Sequence, residues 1–272
     1  MKNRQQMADL ILSRIVQEKD ILIDTYRKSS DGIGYFFIDD LLPDDIAKKI
    51  YSEFPKPEAM KLKKSLREYK YIEAQMNLHD PILEEAIYAF QDKRIVEIIS
   101  DITGIADMHP DSNLYAGGIS MMGDNQFLNP HLDNSHDKDR NQWRVLNLLY
   151  YVTPDWPESS GGNLELWPNG LKSKQTIIHS KFNRLAVMVT HGDSWHSVSP
   201  INNKNKFRCC VSNYYFSNKP VKKTDNFHVT SFRGRPEQPV VDKILKADIM
   251  LRSGIRKVFK KGIVENKHVY KK

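Results

Sequence analysis

The octapeptide NPHLDNSH, residues 129–136, sets His131 and Asp133 two positions apart at the start of an apolar, strand-like run. On a strand, residues i and i+2 point to the same face and can close on one ion. One further imidazole would complete the set of two histidines and one carboxylate that suits non-haem Fe(II) and leaves coordination positions open. HGDSWHSVSPI offers two, His191 and His196. His196 is the better placed, because it leads into SVSPI and the next strand, whereas His191 falls in the turn after RLAVMVT. The predicted ligands are therefore His131, Asp133 and His196, with residues 134–195 supplying three or four short strands between the last two.

A fourth residue bears on the same site. Arg208 lies twelve residues past His196, near the start of FRCCVSNYYF, where alternation aims Arg208, Cys210, Ser212 and Tyr214 at one face. A guanidinium inside a barrel is costly unless it meets a carboxylate, and its planar fork matches one bidentately. A buried arginine one strand from a metal implies an acidic co-substrate.

The order His-x-Asp, then GGNLELW, then HSVSPI, then an arginine about a dozen residues on resembles the Fe(II)- and 2-oxoglutarate-dependent dioxygenases, nearest to their prolyl-4-hydroxylase-like branch. The resemblance spans about residues 110–217, with an echo in YFFIDDLLP. It implies Fe(II) as cofactor, 2-oxoglutarate as co-substrate, O2, and release of succinate and CO2 as an unactivated C–H bond is hydroxylated. Related radical halogenases carry a small residue where this chain has Asp133, so the carboxylate favours hydroxylation. In the resemblance, Arg208 takes the distal carboxylate of 2-oxoglutarate. Its second partner is less plain: the upstream tyrosine of the branch is replaced by methionines in ISMMGDNQFLNPH, and Cys210 stands where another branch has serine. Asn147, in RVLNLLYYV where relatives often have threonine, is the expected partner, against the alternative of an amide capping a strand edge.

Stepping outward, residues 5–28 carry apolar side chains at helical steps, Gly34–Ile38 reads as a strand, and Pro43 opens a helix with acidic residues in its first turn. Helical patterns follow at about 80–92 and 93–103. From about residue 111 short β-rich runs broken by Gly, Pro, Asn and Asp take over. The expected fold is α+β: a double-stranded β-helix, or jelly roll, buttressed by N-terminal helices and followed by a basic helical tail. The expected divisions are an N-terminal helix (1–30), the dioxygenase domain (31–220, with its jelly-roll core about 110–217) and a C-terminal extension (221–272).

The net charge of +7 resides in the tail: residues 240–272 hold ten Lys or Arg against three Asp or Glu, leaving 1–239 neutral. A neutral body disfavours nucleic acid as partner, as does Tyr214, where nucleic-acid demethylases of the family carry a second arginine. The tail has two readings, a helix packed on the body or a contact with an anionic surface. Gly254 weakens any long regular helix there. No stretch reaches the ~18 apolar residues of a membrane span. The N-terminus lacks a signal peptide's apolar region and cleavage site. Cys209 and Cys210, the only cysteines, are adjacent and face opposite sides of a strand, so a reducing cytoplasm is expected.

Among the remaining polar residues, His136, Asp137 and Asp139 read as loop. Trp143 and Trp195 read as core aromatics or as a substrate wall. Arg140 and Arg144 could meet an anionic substrate, and Arg144 could equally be a strand-end surface charge. The expected activity is hydroxylation of a small molecule, sugar or natural-product intermediate. The alternatives are a prolyl hydroxylase acting on a protein or peptide, which needs an open groove that the helical first 100 residues are expected to cover, and a non-catalytic jelly-roll binding module. Oligomeric state leaves no trace in the sequence.

Overall fold

The computed structural model describes residues 3–115, 117–258 and 269–270. Helix α1 (Arg4–Ser29) begins at a reciprocal cap, in which Asn3 Oδ1 accepts from the Gln6 amide at 2.9 Å and Gln6 Oε1 accepts from the Asn3 amide at 3.1 Å. Its inner face buries Met7, Ile11, Ile15 and Leu22, each contributing roughly 1.5–3 kcal/mol. Strand β1 (Tyr35–Ile38) and helix α2 (Asp44–Ser52), capped by Pro43, follow as the sequence predicts. A hairpin of β2 (Lys61–Lys64) and β3 (Glu68–Glu73) precedes helices α3 (Pro81–Ala89) and α4 (Lys93–Thr103).

Ten strands and a helix follow, the first five being β4 (Met108–Pro110), β5 (Gly118–Met122), β6 (Phe127–Leu132), β7 (Trp143–Tyr151) and β8 (Leu164–Leu166). The last are β9 (Thr176–Ile178), β10 (Arg184–Val189), β11 (His196–Val198), β12 (Arg208–Ser217), β13 (Ser231–Phe232) and helix α5 (Pro239–Val258). The strands run antiparallel in the order β1-β10-β7-β12-β5-β3-β6-β11-β8-β9, with β13 beside β6, and curl into a nearly closed jelly-roll barrel.

Alternation along β7 and β12 sorts their side chains between two environments. Leu146, Leu148 and Tyr150, with Cys209, Val211 and Tyr215, join one core with α1, α3 and α4. Asn147, Leu149 and Tyr151, with Arg208, Cys210, Ser212 and Tyr214, face the barrel interior instead. The two cysteines are buried and free on opposite faces of β12.

The helices therefore buttress the outer face of the sheet, and none of their residues lines the interior cavity. From the first 100 residues it is the β2–β3 hairpin that reaches the cavity, through Lys70 and Ile72. Its sequence, KLKKSLREYKYIE, is too charged to show the apolar alternation that marks a half-buried strand.

Helix α5 packs on the body. Leu245 is buried with Met122, Leu128, Val198 and Phe232, and Asp248 pairs with Arg67 while Asp242 pairs with Arg233. The helix passes through Gly254 unbroken, where a Cβ would meet nothing within 4 Å. Ile244, Met250 and Leu251 point to solvent. Residues 259–268 and 271–272 of the expected C-terminal extension lie outside the described residues. No helix among the described residues is long and apolar enough to cross a membrane.

Candidate active site

Strand pairing assembles the site. His131 near the end of β6 and His196 at the start of β11 are direct cross-strand partners, so their rings meet with centroids 4.0 Å apart. Asp133, just past the end of β6, brings Oδ1 to 3.6 Å from His131 Nε2 and Oδ2 to 3.7 Å from His196 Nε2. All three ligand atoms lie within 4.8 Å of one another.

Each imidazole is anchored through its other nitrogen. The carbonyl of Asn129 accepts from His131 Nδ1 at 3.0 Å, and that of Ser194 accepts from His196 Nδ1 at 2.9 Å. Those bonds place the protons on Nδ1 and leave the Nε2 lone pairs facing the centre. Burial, reinforced by His196, pushes the pKa of His131 down to about 3, so its imidazole is neutral. Burial works against ionisation of Asp133, but Arg144, with Nη1 3.6 Å from Oδ1, together with His196, His131 and Lys70 outweighs it and holds the carboxyl below its usual range. Among the described residues, Asp133 Oδ2 is buried with no hydrogen-bond partner. An ionised orphan oxygen beside two imidazole lone pairs, open on one side, is a donor set that fits Fe(II) with exchangeable positions.

Behind the triad lies a buried polar chain. Ser197, next to His196, donates to Glu165 Oε2 at 2.6 Å and accepts from Trp167 Nε1 at 2.9 Å, and Glu165 pairs with Arg235 at 2.8 Å. Phe232 of β13 stacks on the His131 ring at 5.1 Å with planes 16° apart.

In front of the triad is a cavity of about 120 Å³. Arg208 enters it 4% exposed, with Nε unpartnered among the described residues and Nη2 donating to Met122 Sδ, a weak acceptor, at 2.8 Å. Its guanidinium carbon lies 5.3 Å from the Tyr151 ring centre, and Tyr151 Oη and Asn147 Oδ1 are likewise buried without partners among the described residues. Burial drives the Tyr151 pKa well up, so the phenol keeps its proton and can donate. The GG of GGNLELW fits here. Gly161 and Gly162 both adopt left-handed backbone (φ +72 and +71); a Cβ on Gly161 would lie 2.1 Å from the Pro200 carbonyl oxygen, and one on Gly162 3.2 Å from Arg208 Cδ.

The four residues read from motif order thus converge, and Asn147 joins them. His191 stays outside the cluster, with Nε2 3.2 Å from the Gly32 carbonyl, and His136 bonds to Ser135 and packs on Trp143. Sequence reasoning missed Tyr151. The signal was present, since Asn147, Leu149 and Tyr151 share one face of β7 by the same alternation applied to β12. Lys70 was missed with its hairpin.

Residues 117–216 match the family model of the 2OG-Fe(II) oxygenase superfamily. No curated protein matches the chain. Among solved structures, a prolyl-4-hydroxylase of Pseudomonas putida is similar at 15% identity and TM-score 0.54, over 72% of this chain and 98% of its own. Prolyl 4-hydroxylase of Phytophthora capsici is similar at 15% identity and TM-score 0.55, over 93% and 82%. SnoN, a non-haem alpha-ketoglutarate-dependent epimerase from nogalamycin biosynthesis, is similar at 12% identity and TM-score 0.51, over 74% and 84%. A His-Asp-His set of metal-ligand type and a buried arginine fork thus line one cavity, within a segment, residues 117–216, that matches the 2OG-Fe(II) oxygenase superfamily, and the fold is that of the prolyl-4-hydroxylase-like structures.

Proposed function

We propose that this enzyme hydroxylates an unactivated C–H bond of a small molecule, a sugar or a natural-product intermediate. His131, Asp133 and His196 hold the Fe(II), and Arg208 holds the distal carboxylate of 2-oxoglutarate. When bound, the iron couples decarboxylation of 2-oxoglutarate to succinate with transfer of oxygen to the substrate.

The chain's own residues set the conditions for that chemistry. The Asn129 and Ser194 carbonyls keep both imidazoles in the metal-binding tautomer. Arg144, with His196, His131 and Lys70, keeps Asp133 ionised, and its carboxylate stands where the related halogenases carry a small residue. Arg208 and the Tyr151 phenol supply the donors for the far end of the co-substrate, which fixes its reach toward the triad. Asn147 offers an amide on the same wall.

Coverage of the triad strand carries the preference for a small molecule over a peptide. On one side β6 pairs with β3 at Phe127 and Leu128 and with β13 at His131 and Leu132; on the other it pairs with β11. Among the described residues, no stretch of strand edge beside His131 is left for an extended polypeptide to join. The competing reading, a prolyl hydroxylase of protein or peptide, draws on the shared fold alone. The test is Fe(II)- and O2-dependent conversion of 2-oxoglutarate to succinate, followed by mass spectrometry of a substrate panel containing small molecules and proline-rich peptides. A gain of one oxygen on a peptide and on none of the small molecules would overturn the substrate class. Absence of succinate in wild type, or equal succinate from His131→Ala, would overturn the activity.

A further inference from the structure

The cavity explains one unsatisfied guanidinium and leaves another. Arg144, on β7, has a side chain only 2% exposed, yet its Nε and Nη2 are buried without partners among the described residues. Its remaining nitrogen, Nη1, faces Asp133. The guanidinium face is packed by aromatic rings, with Tyr214 centred 4.3 Å and Phe216 5.7 Å from Cζ.

The two free nitrogens are not an arbitrary pair. Nε–H and Nη2–H lie along one edge of the guanidinium and point in parallel, the fork that matches two oxygens of one carboxylate or phosphate. Leaving such donors buried and unpaired is costly. Arg144 lines a small recess, about 10 Å³, that shares Asp133 with the main cavity.

Two other groups of the recess bear on what its free donors can meet. Thr190 Oγ1 is also buried without a partner among the described residues. The Asp225 carboxylate is spent on backbone, accepting from the Gly192 amide at 2.9 Å and the Lys222 amide at 3.0 Å. Donors therefore stand free where the recess has no carboxylate to spare for them beyond Asp133, which already faces Nη1.

We propose that the Nε–Nη2 edge of Arg144, with Thr190, binds an acidic group, a carboxylate or phosphate, of the primary substrate and so sets the reacting carbon beside the metal. This rests on the oxygenase reading and narrows its substrate to small acids. The same chemistry could come from the carboxylate of 2-oxoglutarate nearest the metal, so the test separates the two sources.

The probe is 15N-labelled protein loaded with Zn(II), which supports no turnover, observed through its arginine Nε–H resonances. Absence of one peak from Arg144→Lys and of another from Arg208→Lys assigns the two forks, and the sequential assignment of the wild type does so if a variant fails to fold. Saturation with 2-oxoglutarate is expected to move the Arg208 resonance and leave that of Arg144 in place. Subsequent propionate or inorganic phosphate is expected to move the Arg144 resonance saturably, and neutral propionamide is not. An Arg144 resonance that moves with 2-oxoglutarate and then ignores propionate and phosphate would assign the fork to the co-substrate and overturn the proposal. One that ignores all of them would make Arg144 a strut for Asp133 and overturn it equally. An Arg208 resonance unmoved by 2-oxoglutarate would instead strike the co-substrate reading itself, whatever Arg144 does.

Discussion

Replacing Arg235 by Met tests how firmly the polar chain behind His196 depends on a buried ion pair. Arg235 and Glu165 have side chains 6% and 5% exposed, and their N–O distance is 2.8 Å. Arg235 Nη2 also donates to the Val198 carbonyl at 2.8 Å, two residues past the ligand His196. Methionine fills much of the same space but leaves the Glu165 carboxylate in the interior with Ser197 as its remaining partner. Breaking a buried pair by removing one side costs about 3–5 kcal/mol, because the stranded charge has lost its compensation. At roughly 2–4 °C per kcal/mol for a chain of this size class, the melting temperature should fall by about 6–20 °C. Adding Glu165→Gln removes the stranded charge and keeps an acceptor for Ser197, so the double variant should recover most of the loss. Calorimetry of Zn(II)-free protein reads both numbers. A single variant as stable as the wild type, or a double variant no more stable than the single, would refute the stranded-charge reasoning.

Arg208→Ala should weaken 2-oxoglutarate binding about 30- to 5,000-fold, from the ~2–5 kcal/mol cost of truncating one side of a buried charge pair; Arg208→Lys should lose less, and iron affinity should hardly change in either, as isothermal titration would show. Tyr151→Phe removes one hydrogen bond to a charged group, about 1.5–3 kcal/mol, and should lower the same affinity roughly 10- to 150-fold without changing the fold; unchanged affinity would remove Tyr151 from the pocket's working set. Asp242 is held down to about 2 from its ordinary 3.8 by Arg233, with Lys246 adding to it. A carboxyl depressed in the folded state contributes its stability above the unfolded value and loses it as pH falls through the folded one. Amide exchange in α5 should therefore rise between about pH 4 and 2 while β12 stays protected, and an α5 unaffected down to pH 2 would contradict the docking role of the Asp242 pair.

The legibility of this site in the sequence follows the reach of local rules. His131 with Asp133, and the inward series Arg208, Cys210, Ser212 and Tyr214, were readable because a period of two fixes which side chains share a face. His196 could be preferred over His191 because a ligand on a strand needs a strand pattern after it. Tyr151 obeys the same period from Asn147 but lies outside the motifs that carry the resemblance. Arg144 was not decidable. Whether it is a surface charge or a buried fork depends on the pairing that sets Phe216 opposite it and Tyr214 opposite Asn147, and no local pattern in either strand states that register. The β2–β3 hairpin was invisible for a different reason: its strands are half exposed and lysine-rich, so propensity and periodicity both point away from a sheet that tertiary pairing nevertheless forms.

The most direct test of the central claim is an anaerobic titration of 2-oxoglutarate into the Fe(II)-loaded protein, followed by the visible metal-to-ligand charge-transfer band. A saturable band reporting one co-substrate per chain, lost in His131→Ala and in His196→Ala and shifted to much higher 2-oxoglutarate in Arg208→Ala, is the expected result. A protein that binds both Fe(II) and 2-oxoglutarate without the band, or a band that survives loss of either histidine, would contradict it.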